Sequence, residues 1–161
     1  MIKPRYVIGV DPDVDKSGFA VVDTQQKKVV DACGLSLFEL LDKIRAWAIS
    51  TPDYIVIVEG GWLNKISNYH DAYGKAGMRV AKNVGSNHQR GKDIAEGLKH
   101  YGIKHEIIHP LKKNWKGKDG KITREELAYF TGFNERTNQD IRDAVLLGWY
   151  YAGLPIRVKT R

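Results

Sequence analysis

The stretch YVIGVDPDVDKSGFAVV, residues 6–22, decides how the rest of the chain is read. Residues 5–11 are mostly apolar at both odd and even positions, which predicts a central strand covered on both faces. Pro12 to Ser17 is turn chemistry, and residues 18–23 resume the apolar run, so the two segments read as a hairpin. Three aspartates, Asp11, Asp13 and Asp15, fall within five positions. The chain as a whole is basic, with 26 Lys and Arg against 19 Asp and Glu. Acid gathered at the end of an apolar strand in such a chain calls for an explanation.

The pattern continues outward from the hairpin. Residues 27–33 predict a third, edge-like strand. Ser36 can cap a helix over 37–50, whose apolar residues recur at helical spacing and whose end Pro52 marks. YIVIVE, residues 54–59, predicts a buried strand, parallel to the first because a helix precedes it. Two helical pieces follow, over 70–84 and 87–101, broken or bent at Gly85-Ser86-Asn87. Ile94, Ala95, Leu98 and Tyr101 form the buried stripe of the second piece. Residues 104–110 predict a fifth strand. Thr123 opens a short helix to Thr131 with Glu126 placed for a capping box. A last helix runs over 138–152, and residues 156–161 read as a basic, loosely held tail. The order predicts an α/β fold over 1–161: a mixed five-stranded sheet, three strands first and then alternating helices and strands, with helices on both faces.

Composition sets limits. No apolar run approaches the ~20 residues of a membrane span, so no membrane partner is expected. The N-terminus reads as mature chain and not as a signal peptide. The single cysteine, Cys33, allows no internal disulfide framework and fits a reducing, cytoplasmic setting, in a cell or in the host of a virus. Its apolar neighbours make it a core residue.

The acids carry the chemistry. Asp11 closes the first strand and Glu59 the fourth, so parallel pairing brings both to the edge of the sheet where α/β folds bind ligands. Asp140 and Asp143 lie on one face of the last helix. Asp140 has a simpler role available, capping that helix with Thr137 or favouring its N-terminus. Asp143 lies too deep for either, at the border of the apolar face. Four carboxylates gathered from three segments repel one another unless a cation intervenes. An oxygen-only donor set points to Mg²⁺, with Mn²⁺ as substitute. The five histidines offer no ligand spacing that would suggest zinc. Two such cations roughly 4 Å apart cleave phosphodiesters, so acid clustered in a basic protein reads as a metal-dependent nuclease.

The basic residues supply the phosphate grip. Residues 112–121 carry Lys112, Lys113, Lys116, Lys118 and Lys121 around Trp115, and Gly117 and Gly120 make the loop flexible. Arg79, Lys82, Arg90, Lys92, Lys99 and Lys104 add charge over residues 79–104 before it.

The residues quoted so far resemble the RuvC family of Holliday-junction resolvases, within the RNase H-like superfamily. The resemblance rests on VIGVDPDVDKSGFAVV, IVIVEGGW, NHQRGKDIAEGL, HPLKKNWKGKDGK and DIRDAVLLG, taken in order. It implies catalytic metal ligands at Asp11, Glu59, Asp140 and Asp143, with Lys112 near the scissile phosphate and Lys121 as a second loop lysine. It also implies an aromatic at Trp62 that stacks at an opened junction, for which core filling is the alternative. Gly60 and Gly61 would let the backbone approach DNA. A homodimer built on the helix at 70–84 and a four-way DNA junction as substrate complete what the resemblance implies. Asp13 stands where the family has glycine, so the turn departs from its pattern. The other readings are a related nuclease acting on RNA or other branched DNA, and a non-catalytic nucleic-acid-binding module of the same fold.

Overall fold

The computed structural model describes residues 3–64 and 74–160. Five strands form one sheet: β1 (Tyr6–Asp11), β2 (Ser17–Asp23), β3 (Lys28–Leu35), β4 (Tyr54–Glu59) and β5 (His105–Ile108). Their order is β3-β2-β1-β4-β5. β1–β2 and β2–β3 pair antiparallel, whereas β1–β4 and β4–β5 pair parallel. The helices are α1 (Leu37–Ser50), α2 (Gly74–His100), α3 (Arg124–Thr131) and α4 (Gln139–Tyr151). The expected mixed sheet is therefore present, with β3 at one edge.

Strand alternation divides the core into two layers. Ile8, Val10, Phe19, Val21, Val56 and Val58 pack against Leu40, Leu41 and Ile44 of α1 and Ile94 and Leu98 of α2. Val7, Ala20, Val22 and Ile57 face the other way, against α3 and α4. Both layers are fully desolvated at the centre of the sheet, which is why β1 and β4 are apolar on both faces.

The local helix signals act as their chemistry dictates. Ser36 and Glu39 form a capping box on α1, and Thr123 and Glu126 form one on α3. Gly132 ends α3 in the left-handed conformation. At α4 the cap is Asn138, whose Oδ1 accepts from the Ile141 amide at 2.9 Å. Thr137 is not the capping partner of Asp140; its carbonyl accepts from Arg142 Nη1 at 2.9 Å.

Four expectations are corrected. α2 is one helix across Gly85-Ser86-Asn87. Gly85 faces open space, where it lowers helix propensity without breaking the helix. Asn87 Oδ1 accepts from the Val14 amide in the β1–β2 turn at 2.9 Å. The expected helix start at 70–73 lies outside the described residues. Tyr101 is not part of the buried stripe: it lies past the end of α2, 43% exposed, beside the Arg45 guanidinium. Residues 112–121 are not a loose loop. Trp115 N donates to Gly120 O and Gly117 N to Lys121 O, both at 2.9 Å, and Lys116 N donates to the Glu126 carboxylate. Gly120, at φ +74°, is there for its turn conformation and its close approach to the Lys113 carbonyl. The tail is exposed but tethered: Trp149 Nε1 donates to Pro155 O at 2.9 Å and Lys116 Nζ to Lys159 O at 3.4 Å. Among the described residues no helix is long and apolar enough to cross a membrane.

Candidate active site

The alternation that builds the core also aims the acids. Asp11 follows Val7 and Gly9 on the α4 face of β1, and Glu59 follows Ile57 on the same face of β4. The parallel register pairs Val10 with Val58, so the two carboxylates close neighbouring strands one position further on. α4 reaches them because small residues let it lie directly on the sheet. A Cβ on Gly9 would overlap the Ala144 carbonyl, and one on Gly18 would overlap the Asp140 carbonyl. Gly148 of α4 sits 3.5 Å from the Gly9 amide nitrogen, measured from where its own Cβ would stand. Asp140 and Asp143, in the first turns of α4, are thereby delivered to the ends of β1 and β4.

All four carboxylates line one cavity of about 480 Å³. They keep a partial opening to solvent, yet protein surrounds them closely. Burial drives the Asp11 carboxyl well above its ordinary pKa, and Glu59, Asp143 and Asp140 push it further while Lys121 opposes. Glu59 is raised by burial and then by Asp143, against Lys113 and Lys121. Asp140 is pushed up to about 6 by burial, then by Asp13 and Asp143. Asp143 is raised by burial, moderated by a hydrogen bond from Gln139 and by Lys121, Lys113 and Arg142. Gln139 Nε2 donates to Asp143 Oδ1 at 2.8 Å and also to the Ile122 carbonyl at 3.1 Å, which orients that carboxylate.

Burial raises all four carboxyls and neighbouring carboxylates push Asp11, Glu59 and Asp140 further, an arrangement that favours positive charge in the cavity. The donor set is hard oxygen and suits Mg²⁺ or Mn²⁺. It is not a closed shell: among the described residues no three acidic, histidine or cysteine side chains stand grouped as ligands for one ion. The fit therefore rests on the donor chemistry of four carboxylates lining one cavity.

The other expected site residues separate. Lys112, Lys113, Lys121 and Gly61 line the cavity, as does Trp62. The lysine charges bearing on the carboxylates are those of Lys121 and Lys113. Lys116 lies on a second groove beyond the loop, and neither Arg90 nor Lys118 lines either space. Gly60 is buried rather than open to a ligand, because Ile107 and Leu63 occupy the space beside it. Trp62 is half-buried in a short 3-10 turn, Gly61–Leu63, with its ring filling the space over Gly91 of α2 and near Pro12. Core filling is thus part of its role.

Sequence reading missed several lining residues. His88 packs beside Gly61, and burial followed by Lys92 lowers its pKa. Asn64 and Asn87 also line the cavity. Asp13, read as a turn residue only, does bond the turn, accepting from the Asp15 amide at 3.0 Å, but its charge also bears on Asp140. The Gly91 gap under Trp62 and the Val14–Asn87 bond are spatial signals without any sequence periodicity.

No family model matches the chain, and no curated protein sequence matches it. Solved structures do. RuvC from T. thermophilus in complex with a Holliday junction substrate superposes with a TM-score of 0.57 at 13% identity, covering 91% of this chain and 92% of that one. The chain has a RuvC-like, RNase H-type fold. A second structure of Thermus thermophilus RuvC gives 0.52 at 17% identity, over 91% and 93% of the two chains. The large terminase nuclease from thermophilic phage G20c with bound magnesium aligns less closely, at 0.48 and 15% identity over 93% and 82%. In the RuvC-like fold of this chain Asp11 and Glu59 occupy the carboxyl ends of β1 and β4, at the edge where α/β sheets bind ligands.

Proposed function

We propose that this chain is a divalent-metal-dependent endonuclease that resolves four-way DNA junctions as a homodimer, a crossover junction endodeoxyribonuclease serving recombination and repair in the cytoplasm. The observation carrying this reading is the meeting of Asp11, Glu59, Asp140 and Asp143, from three separate segments, in one cavity walled by Lys112, Lys113 and Lys121. The Holliday junction substrate held by the T. thermophilus RuvC of the same fold supports the choice of substrate. Met78 and Val80, 73% and 48% exposed on α2, support a twofold apolar contact there.

The four carboxylates would hold Mg²⁺, which supplies Lewis-acid activation and charge neutralisation for phosphodiester hydrolysis. Lys121 and Lys113 counter the charge that grows on the phosphate in the transition state. Gln139 keeps Asp143 oriented. His88, Asn64 and Asn87 present neutral polar groups along the wall where the DNA backbone would enter.

The test is cleavage of a synthetic four-way junction with Mg²⁺, beside flap, duplex and RNA–DNA substrates. Paired nicks on the junction, abolished by Asp11→Asn, are expected. Equal cutting of RNA or flaps would replace the junction with a broader substrate. Absence of cutting on every substrate, with metal binding undetectable by calorimetry at millimolar Mg²⁺, would leave a binding module.

A further inference from the structure

A second groove of about 790 Å³ runs along the far side of the loop that carries Lys112 and Lys113. It meets the catalytic cavity at Pro110, Leu111, Lys112, Trp115 and Leu146, which line both. Trp115, Tyr150 and Tyr151 line it together with Ile156 and Val158 of the tail. The Trp149–Pro155 and Lys116–Lys159 hydrogen bonds hold that tail beside the groove.

The rim is mostly cationic, Glu106 on the Tyr151 hydroxyl excepted. Lys112 and Lys116 line the groove, and Arg157 and Lys159 are exposed along the tail. Glu126 is the one carboxylate among the lining residues, and it is 5% exposed and engaged by Thr123 and by the Lys116 amide. Its negative charge is therefore turned inward. Aromatic surface flanked by lysines fits unpaired nucleic acid, whose bases stack while its phosphates meet the cations. Duplex DNA offers no free base faces to such a surface.

We propose that this groove receives the unpaired DNA strand leading away from the scission point, with Tyr150 and Trp115 as stacking surfaces and Lys112 and Lys116 on the phosphates. The assignment rests on the nuclease reading above and gives that site a single-strand exit path. Tyr150, 55% exposed, and Val158, 63% exposed, can be changed without disturbing the core.

The experiment measures, in EDTA, binding of a fluorescent oligothymidylate and of a duplex to the full chain. Tyr150→Ala and Val158→Asp are compared with Phe38→Ser, an exposed change on α1 beyond the opposite face of the sheet. Each groove variant should weaken single-strand binding roughly ten-fold while duplex binding stays within about two-fold and Phe38→Ser changes neither. Unchanged single-strand affinity in both groove variants, or equal loss on duplex, would overturn the proposal. So would tighter binding of an oligoglutamate peptide than of the oligonucleotide, lost in the same variants. Because binding is read without divalent ions, it is separable from cleavage. Single-strand binding without cutting of any substrate defeats the nuclease reading and leaves the groove as a single-strand site, and junction cutting with indifferent groove variants defeats the groove alone.

Discussion

Gly18 of β2 lies directly beneath Asp140 of α4, so closely that a methyl group on Gly18 would overlap the Asp140 carbonyl. Backbone, not a flexible side chain, occupies the space. Gly9 repeats the relationship one helical turn on, against the Ala144 carbonyl. Gly18→Ala and Gly9→Ala should each lower stability by about 1–3 kcal/mol, the usual cost of overpacking. Urea denaturation measures this, and cleavage should fall further than stability because α4 carries two of the carboxylates. Unchanged stability in both variants would mean that α4 is not seated as described.

Asp11 and Asp13 should separate by function. Asp11→Asn removes a carboxylate that faces Glu59 and α4 and should cut cleavage by at least about 100-fold, the upper end of what losing a mere supporting partner costs a metal site. Asp13→Asn keeps an oxygen for the Asp15 amide and should retain cleavage. It should also lower the pKa of Asp140, since after burial the Asp13 charge raises it most. Single-turnover rates, and carboxyl chemical shifts for Asp140, test the two halves.

Stability should depend on pH through the same acids. The folded value for Asp140, about 6, exceeds its ordinary 3.8. The folded protein thus holds a proton the unfolded chain has released between those pH values. Stability from this group is present at low pH and is lost as pH rises through about 4 to 6. His88 acts in the opposite sense, since its lowered pKa costs stability as pH falls through 6.5. The readout is therefore a difference: in EDTA, wild type should lose melting temperature relative to Asp140→Asn as pH rises. Mg²⁺ should raise the wild-type melting temperature more at neutral than at mildly acidic pH.

Lys121 opposes the raised pKa of all four carboxylates. Lys121→Met should lift those values and move the acidic limb of the pH–rate profile upward. It should also slow cleavage by on the order of 100-fold if Lys121 stabilises transition-state charge. Lys112→Met should leave the acidic limb where it is. A profile that moves with Lys112 instead would reassign the two lysines.

Trp62 rests over Gly91, where a Cβ would overlap its ring. Trp62→Ala should cost about 2 kcal/mol, less than a fully buried tryptophan because the ring is half-exposed. Gly91→Ala should displace the ring and change junction binding even though residue 91 itself lies beneath it. Thermal melts and junction affinity distinguish packing from contact with DNA.

Much of this architecture could be read in one dimension. The apolar runs at 6–11 and 54–59, the Ser36–Glu39 and Thr123–Glu126 boxes and the spacing of Asp140 and Asp143 all rest on periodicities of a few residues. Those periodicities follow from backbone geometry, so they survive without knowledge of neighbours. The break expected at Gly85-Ser86-Asn87 failed because Asn87 satisfies its amide oxygen on Val14, more than seventy positions away. The flexible loop expected from Gly117 and Gly120 failed for a related reason: the same glycines permit tight backbone pairing.

The sequence by itself determined the strand parity that turns Asp11 and Glu59 away from the α1 and α2 layer. It also determined that four carboxylates would be available to a basic chain. Only the tertiary structure decided that α4 lies in backbone contact with β1 and β2, that Lys113 and Lys121 bear on the acids, and that Asp13 presses on Asp140. It likewise decided that the tail closes a second groove. Periodicity is a property of consecutive residues, whereas Coulomb interaction and steric overlap depend on distance alone, and distance is set by segments that the chain order keeps far apart.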